Sequence, residues 1–248
     1  MAGVELSVVI PVRNEAPSLV ELHREFTETL VTWGRSYEII VVDDGSTDES
    51  FEILARLQAG DPHLRVIRFR RNFGQTAAFA AGFAHARGRL IATSDGDLQN
   101  DPHDIPAMLK QLDQWDAVSG WRVNRAAGDS WLRRLSSRIA NRVRNRLSAE
   151  TIQDSGCTFR AFRRECLRDL VLYKGFHRFV PTLLRMRGFR VLEVPVNHRP
   201  RRFGQSKYGI GNRAVRAFVD LLVVRWMKDR LLRYEIAEDL GGEPGGRG

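Results

Sequence analysis

The sequence is poor in cysteine, lysine and long apolar runs, and each shortage excludes something. Its 248 residues include two cysteines, Cys157 and Cys166. These are too few for a disulfide framework and lack a zinc-like spacing, so a reducing, cytoplasmic setting is expected. The longest apolar stretch, Ala217 to Met227, is interrupted by Asp220 and Arg225. It falls short of the roughly 20 apolar residues that a membrane-spanning helix needs. Met1 to Glu5 carries no basic flank ahead of its short apolar run, unlike a secretory signal. A soluble or peripheral chain is expected. No G-x-G-x-x-G follows the first apolar run and no G-x-x-x-x-G-K-[ST] occurs, which disfavours dinucleotide oxidoreductases and P-loop NTPases.

What is present is a divided charge on a globular composition. With 43% hydrophobic and 28% charged residues, the chain can build one α/β core and is neither a disordered tail nor a fibre. Residues 1–120 hold 11 basic and 18 acidic side chains, whereas residues 121–248 hold 28 and 12. An acidic first half joined to a basic second half implies an anionic partner for the latter: a phosphorylated substrate, nucleic acid or a membrane surface. Only four of the 39 basic residues are lysine, so a compositional bias toward arginine accounts for part of that charge.

The first half alternates strands with helices. Leu6–Ile10, ended by Pro11, Tyr37–Val42, Leu64–Phe69, Leu90–Ser94 and Ala117–Gly120 read as strands, the second apolar throughout as a strand buried on both faces should be. Helical patterns cover Ser18–Thr32, Ser46–Gln58, Gln75–Ala86 and Asp104–Gln114, with Ser46 and Glu49 spaced as a capping box. This alternation predicts a mainly parallel, doubly wound sheet. Asn14-Glu15, Asp43-Asp44-Gly45 and Asp95-Gly96-Asp97 each follow a strand directly, at the rim where open α/β sheets bind ligands. The second half predicts a basic amphipathic helix over Ser130–Leu147, a basic loop over Arg199–Lys207 and a second amphipathic helix over Asn212–Leu232. The Gly-rich segment 241–248 reads as a disordered tail.

Asp95-Gly96-Asp97-Leu98-Gln99 carries the sharpest chemistry. Two carboxylates one residue apart can hold a hard divalent cation, and Gln99 adds a carbonyl or fixes a metal-bound water. The same residues also suit a solvated Asp-Gly turn. His177 and His198 read equally well as packing residues. Both cysteines read as small buried side chains, because no His-partnered nucleophile pattern surrounds Cys157.

The runs Val9–Glu15, Val41–Asp48 and Asp95–Pro102 resemble the family 2 glycosyltransferases of GT-A fold, and within them the polyprenyl-phosphate glycosyltransferases. Asn72-Phe73-Gly74-Gln75, Asp154-Ser155-Gly156-Cys157, His177-Arg178-Phe179 and Arg201-x-x-Gly204-x-Ser206-Lys207 extend the likeness to about residue 230. The resemblance implies an α/β GT-A, Rossmann-like domain over residues 1–211, followed by an amphipathic segment, 212–240, belonging to the same domain. It implies sugar transfer, with inversion, from a UDP- or GDP-sugar to a polyprenyl phosphate, using Mg2+ or Mn2+. Pro11, Arg13, Glu15, Val42, Asp44, Asp95 and Gly96 match donor-binding positions, and Asp95, Asp97 and Gln99 match the metal site. Arg122, Arg133 and Ser137 match residues that hold the acceptor phosphate. Asp154 matches an acidic residue facing the reaction centre, and Arg201 and Lys207 match a loop over the diphosphate; together with Asp97 and Arg122 these form the expected catalytic set. Arg13 stands where relatives commonly carry an aromatic residue, which leaves the base open between uracil and guanine. Many bacterial relatives continue into transmembrane helices, whereas this sequence stops after its amphipathic segment.

The implied location is the inner face of the cell membrane, with a membrane subunit or a second copy as further partners and no nucleic acid. Two other readings remain open: a soluble acceptor for the same donor, and a non-catalytic basic binding protein.

Overall fold

The structure, a computed structural model, describes residues 3–123, 152–200, 210–232 and 238. Seven strands form one sheet in the order β3-β2-β1-β4-β6-β5-β7. They are β1 Leu6–Val12, β2 Tyr37–Asp43, β3 Leu64–Arg68, β4 Leu90–Thr93, β5 Ala117–Arg122, β6 Arg160–Arg163 and β7 Val191–Val196. β1 pairs in parallel with β2 and β4, and β2 with β3. β6 runs antiparallel to both its neighbours, while β5 and β7 pair in parallel. Six strands therefore point one way and β6 alone is reversed. Because β1 is flanked by β2 on one side and β4 on the other, the chain reverses its winding there, and the carboxyl ends of these three strands border one crevice.

β2 is buried along its whole length, as its apolar run requires. β3, at the sheet edge, does not alternate but grades from buried Leu64 through half-buried residues to exposed Arg68. Pro11 does not end β1, which continues to Val12. β4 pairs with β1 only as far as Val9, so the missing N–H of Pro11 lies beyond that ladder and costs it nothing.

Helices α1 Leu19–Trp33, α2 Ser50–Gly60 and α4 Ile105–Gln111 contribute to one core cluster with the sheet; α3 Gln75–His85 and α5 Val180–Met186 contribute to the opposite one. Helix α1 buries Leu19, Leu22, Phe26 and Leu30 at helical spacing. Each such side chain contributes about 1.5–3 kcal/mol of hydrophobic burial. It stops at Gly34, whose φ of 74° lets its N–H turn back to the Leu30 and Val31 carbonyls. Gly82 lets α3 approach β1, since a Cβ there would collide with Val9.

Two helix starts differ from expectation. α2 begins at Ser50 rather than Ser46, and no capping box forms. The Ser46 hydroxyl instead accepts the Asn14 N–H at 2.9 Å, while the Ser46 N–H donates to Asp43 Oδ1 at 2.9 Å. The turn after β2 has consumed the residue that would have capped the helix. Ahead of α4, Pro102–Asp104 forms a separate 3-10 turn, with the Asp101 carboxylate accepting from the His103 N–H.

The C-terminal helix α6 spans Ile210–Asp229. Leu221 and Val224 turn inward and pack with Phe176, Phe179 and Leu183. Phe218, Val219, Leu222, Val223 and Trp226 are exposed. The single apolar face expected for this segment is thus two faces, one packed on the domain and one open. No helix among the described residues is long and apolar enough to cross a membrane.

Candidate active site

The three acidic turns meet at the carboxyl rim of β1, β2 and β4. Asn14 adopts a positive φ of 51°, a conformation that asparagine tolerates better than most residues. Its Oδ1 accepts the Thr47 N–H at 2.8 Å. The Glu15 N–H donates to the Ser50 hydroxyl at 3.0 Å, and the Ala16 N–H to Asp48 at 3.3 Å. The turn after β1 is thereby laced to the turn after β2, with Arg13 exposed and Pro11 partly exposed beside them.

Asp44 spends both carboxylate oxygens on the loop ahead of α3. Oδ1 accepts the Phe73 N–H at 2.7 Å, and Oδ2 accepts the Gly74 N–H at 2.9 Å and the Asn72 side-chain amide at 2.7 Å. Gly45 makes this clamp possible: at its φ of 65° an added Cβ would strike the backbone of Arg71 and Asn72. Val42 is fully buried in the core, so it can offer the crevice only its backbone. Gly96 is buried against the end of β1, where an added Cβ would lie 2.7 Å from Val12 Cγ1.

Asp95 and Asp97 stand at the end of β4, both partly exposed. Asp95 Oδ1 accepts the Gln75 amide at 2.8 Å. Burial first, and then the nearby Asp97 charge, raise the Asp95 carboxyl above its usual range, against the pull of Thr158, Arg122 and Arg160. Among the described residues no group of three or more His, Cys, Asp or Glu side chains gathers for a metal; what exists is this acidic pair with the amide of Gln99. Gln99 Nε2 donates to the Arg199 carbonyl at 3.3 Å, and the Arg199 N–H donates to the Gln99 carbonyl at 2.7 Å. The acidic turn is therefore pinned to the segment that leaves β7. Arg199 itself is committed to Glu25 at 2.7 Å and to Asp101 at 2.8 Å.

Across the crevice, Asp154 and Arg122 pair with each other. Arg122 Nε and Nη2 donate to the two Asp154 oxygens at 2.7 and 2.9 Å. Burial alone would lower the Arg122 pKa, but the Asp154 contact outweighs it and holds the guanidinium above its usual value. His177 bonds the Thr76 hydroxyl through Nδ1 at 2.7 Å and stacks obliquely near Phe79. Cys157 and Cys166 are buried, and burial lifts their thiols to about 11 and about 12. Neither is a poised nucleophile.

The structure thus brings Pro11, Arg13, Glu15, Asp44, Asp95, Gly96, Asp97 and Gln99 to one rim, with Arg122 and Asp154 paired opposite. Arg133, Ser137, Arg201 and Lys207 lie outside the described residues, as do the expected helix 130–147 and tail 241–248. Sequence reasoning gave no role to Gln75, which orients Asp95. The signals were its place in the motif Asn72-Phe73-Gly74-Gln75 and its position at the start of α3.

The site is an acidic crevice at the winding reversal of a mainly parallel sheet, in a sequence without a glycine-rich phosphate loop. The chain belongs to glycosyl transferase family 2, whose model matches residues 7–171. A dodecaprenyl-phosphate galacturonate synthase of Rhizobium johnstonii is 41% identical over 228 residues, which cover 90% of this chain and 67% of that protein. A mannosyltransferase of Pyrobaculum calidifontis in complex with GDP-Man and Mn2+ superposes with a TM-score of 0.64 at 21% identity, over 92% of this chain and 64% of that one. Glucosyl-3-phosphoglycerate synthase of Mycobacterium tuberculosis, in complex with Mn2+, UDP and phosphoglyceric acid, gives 0.66 at 19% identity over 93% and 80%. At these identities the solved structures speak for the fold. The chain spans about two thirds of the galacturonate synthase and of the mannosyltransferase.

Proposed function

We propose that the chain transfers a sugar from a UDP- or GDP-sugar to a polyprenyl phosphate, with inversion, using Mg2+ or Mn2+. The observation that carries this reading is the Asp95–Asp97 pair at the end of β4 in a chain 41% identical to a dodecaprenyl-phosphate galacturonate synthase. Asp95 and Asp97 repel each other, and a divalent cation relieves that repulsion. The all-oxygen set of Asp95, Asp97 and Gln99 suits a hard cation. Once bound there, the cation would stabilise charge on the departing diphosphate. Mn2+ accompanies a nucleotide or nucleotide sugar in both structural neighbours.

The remaining roles fall to the chain's own residues. Arg13 and Glu15 offer side chains to the nucleoside, Pro11 and Val42 line it, and Asp44 holds the loop 72–74 that borders it. An acceptor phosphate oxygen bonds to the anomeric carbon as the bond from that carbon to the diphosphate breaks, the electron pair leaving with the nucleoside diphosphate. A phosphate is already ionised near neutral pH, so no strongly perturbed base is needed. Asp154 fixes the Nε and Nη2 edge of Arg122, so that Nη1 can turn to the acceptor phosphate together with Arg133 and Ser137. Arg201 and Lys207 would cover the diphosphate. The open face of α6, within the segment 212–240 of the same domain, would rest on the cytoplasmic membrane surface that supplies the lipid.

The test is to incubate the protein and Mn2+ with UDP-glucose, UDP-galacturonate and GDP-Man in turn, together with polyprenyl phosphate, and to identify the lipid product by mass. A glycosylated polyprenyl phosphate is expected with one donor. Product formed only with a soluble phosphorylated acceptor would select the second reading, which the likeness in fold to glucosyl-3-phosphoglycerate synthase keeps open.

A further inference from the structure

Arg160 lies on the reversed strand β6 and is 3% exposed. Its guanidinium makes no ion pair with a carboxylate among the described residues. Nη1 donates to the His177 carbonyl at 2.5 Å and Nη2 to the Ser155 carbonyl at 3.4 Å, while Nε finds no partner among the described residues. It fronts a small cavity bordered both by the apolar Phe79, Phe83, Phe162 and Val180 and by the polar Thr93, Thr158 and His177. Burial pushes its pKa down to about 10, with more distant support from Cys157, Asp154, Asp95 and Glu193. It therefore stays charged near neutral pH. A buried cation held only by backbone carbonyls is costly, and a hydrophobic side chain of similar volume would ordinarily suit such a place better. A local purpose is needed to explain the charge.

The two carbonyls indicate one. Ser155 directly follows Asp154, which holds Arg122. His177 is bonded to Thr76, whose hydroxyl also accepts the Gly175 N–H at 2.9 Å. The neighbour of Thr76, Gln75, holds Asp95. Arg160 is thus the strut between the loop that presents the Arg122–Asp154 pair and the corner that orients Asp95. We propose that Arg160 is a positioning residue for sugar transfer, setting the spacing between the Arg122–Asp154 pair and the Asp95–Asp97 turn. This rests on the reading that these two groups carry the chemistry.

The test compares Arg160→Met and Arg160→Lys. Folded protein is quantified by near-UV circular dichroism. Nucleoside diphosphate release from the donor is followed with Mn2+, both with polyprenyl phosphate and with water as the only acceptor. A misplacement of about 1 Å at such a site costs about 100-fold in turnover, so the Met variant should lose about that in kcat while donor KM stays within about threefold. Lys, which keeps the charge and can reach one carbonyl, should recover about tenfold of the loss. Thr76→Val loosens the same corner from its other side, should show the same split, and serves if both Arg160 variants fail to fold. A kcat per folded molecule within about threefold of the parent in the Met variant, or a Lys variant no better than Met, would overturn the proposal. Release to water reads Arg160 even if the lipid acceptor is wrong, so the two failures are distinguishable.

Discussion

Arg122 and Asp154 meet as a bidentate ion pair, each nitrogen of one guanidinium edge facing its own carboxylate oxygen at 2.7 and 2.9 Å. Both side chains are largely buried, and the Gly156 N–H adds a further bond to Asp154 Oδ1 at 3.2 Å. The residue expected to hold the acceptor phosphate is therefore orientated by the residue expected to face the reaction centre. The two work as one unit.

That pairing predicts unequal effects on stability and activity. Asp154→Ala should destabilise the fold by about 3–5 kcal/mol, because it leaves Arg122 buried and uncompensated. The double variant Arg122→Met, Asp154→Leu should regain most of that stability while remaining inactive. Urea unfolding and sugar transfer, measured on the same preparations, check this. A double variant as unstable as the single one would mean that the pair's worth lies in its packing and not in its charge.

Asp97→Ala should leave the fold intact, since Asp97 is partly exposed at a turn. It should reduce turnover by at least about 100-fold through loss of a hard ligand beneath the leaving diphosphate. Calorimetry separates the two partners: binding of UDP or GDP should lose its dependence on Mn2+. Nucleotide binding that remains equally Mn2+-dependent would place the cation elsewhere.

Glu38 makes a prediction about acid stability at the other end of the sheet. It is buried, and its carboxylate accepts from the Ser7 hydroxyl and from Arg65 at 2.6 Å and from the Arg87 N–H at 2.7 Å. Burial pushes its pKa up, but these donors outweigh it and bring the carboxyl below its usual value. The stabilisation is then complete above the unfolded carboxyl pKa of about 4.3 and is lost as pH falls through the lower folded value. Glu38→Gln should cost about 2 kcal/mol near neutral pH and flatten the acid limb of stability against pH. An acid limb unchanged in the variant would assign it to other carboxylates.

The first half of the fold was legible because its strands are β-branched, buried runs, with Tyr37–Asp43 the clearest. β6 and β7 were not. Arg160-Ala-Phe-Arg163 begins and ends on arginine, and Val191–Val196 contains Glu193 and Pro195. Tertiary pairing with β4 and β5 makes strands of segments whose own pattern does not announce them. Asp95, Asp97 and Asp44 were singled out by their place after strands, yet their hydrogen-bond partners could not be read. That Asp44 spends its carboxylate on Asn72, Phe73 and Gly74 depends on a loop 28 to 30 residues away. The same holds for Arg199, whose ion pair with Glu25 spans 174 residues.

The membrane prediction turns on the two faces of α6. Leu221 and Val224 are packed against Phe176, Phe179 and Leu183, so deleting the helix would strip cover from the domain and confuse unfolding with loss of membrane contact. The open face gives a cleaner experiment. Phe218 is 49% and Trp226 61% exposed, and Arg225, Lys228 and Arg230 lie on the same stretch of chain. An exposed apolar stripe among cations suits a helix lying in the headgroup region of an anionic bilayer. The parent protein should float with vesicles of phosphatidylcholine and phosphatidylglycerol, and high salt should release part of it, because screening acts within about 10 Å at 0.1 M. Phe218→Glu with Trp226→Glu should abolish flotation while leaving the melting temperature and nucleotide binding near those of the parent, since neither side chain is in the core. Flotation that persists in this variant would move the membrane contact to another surface.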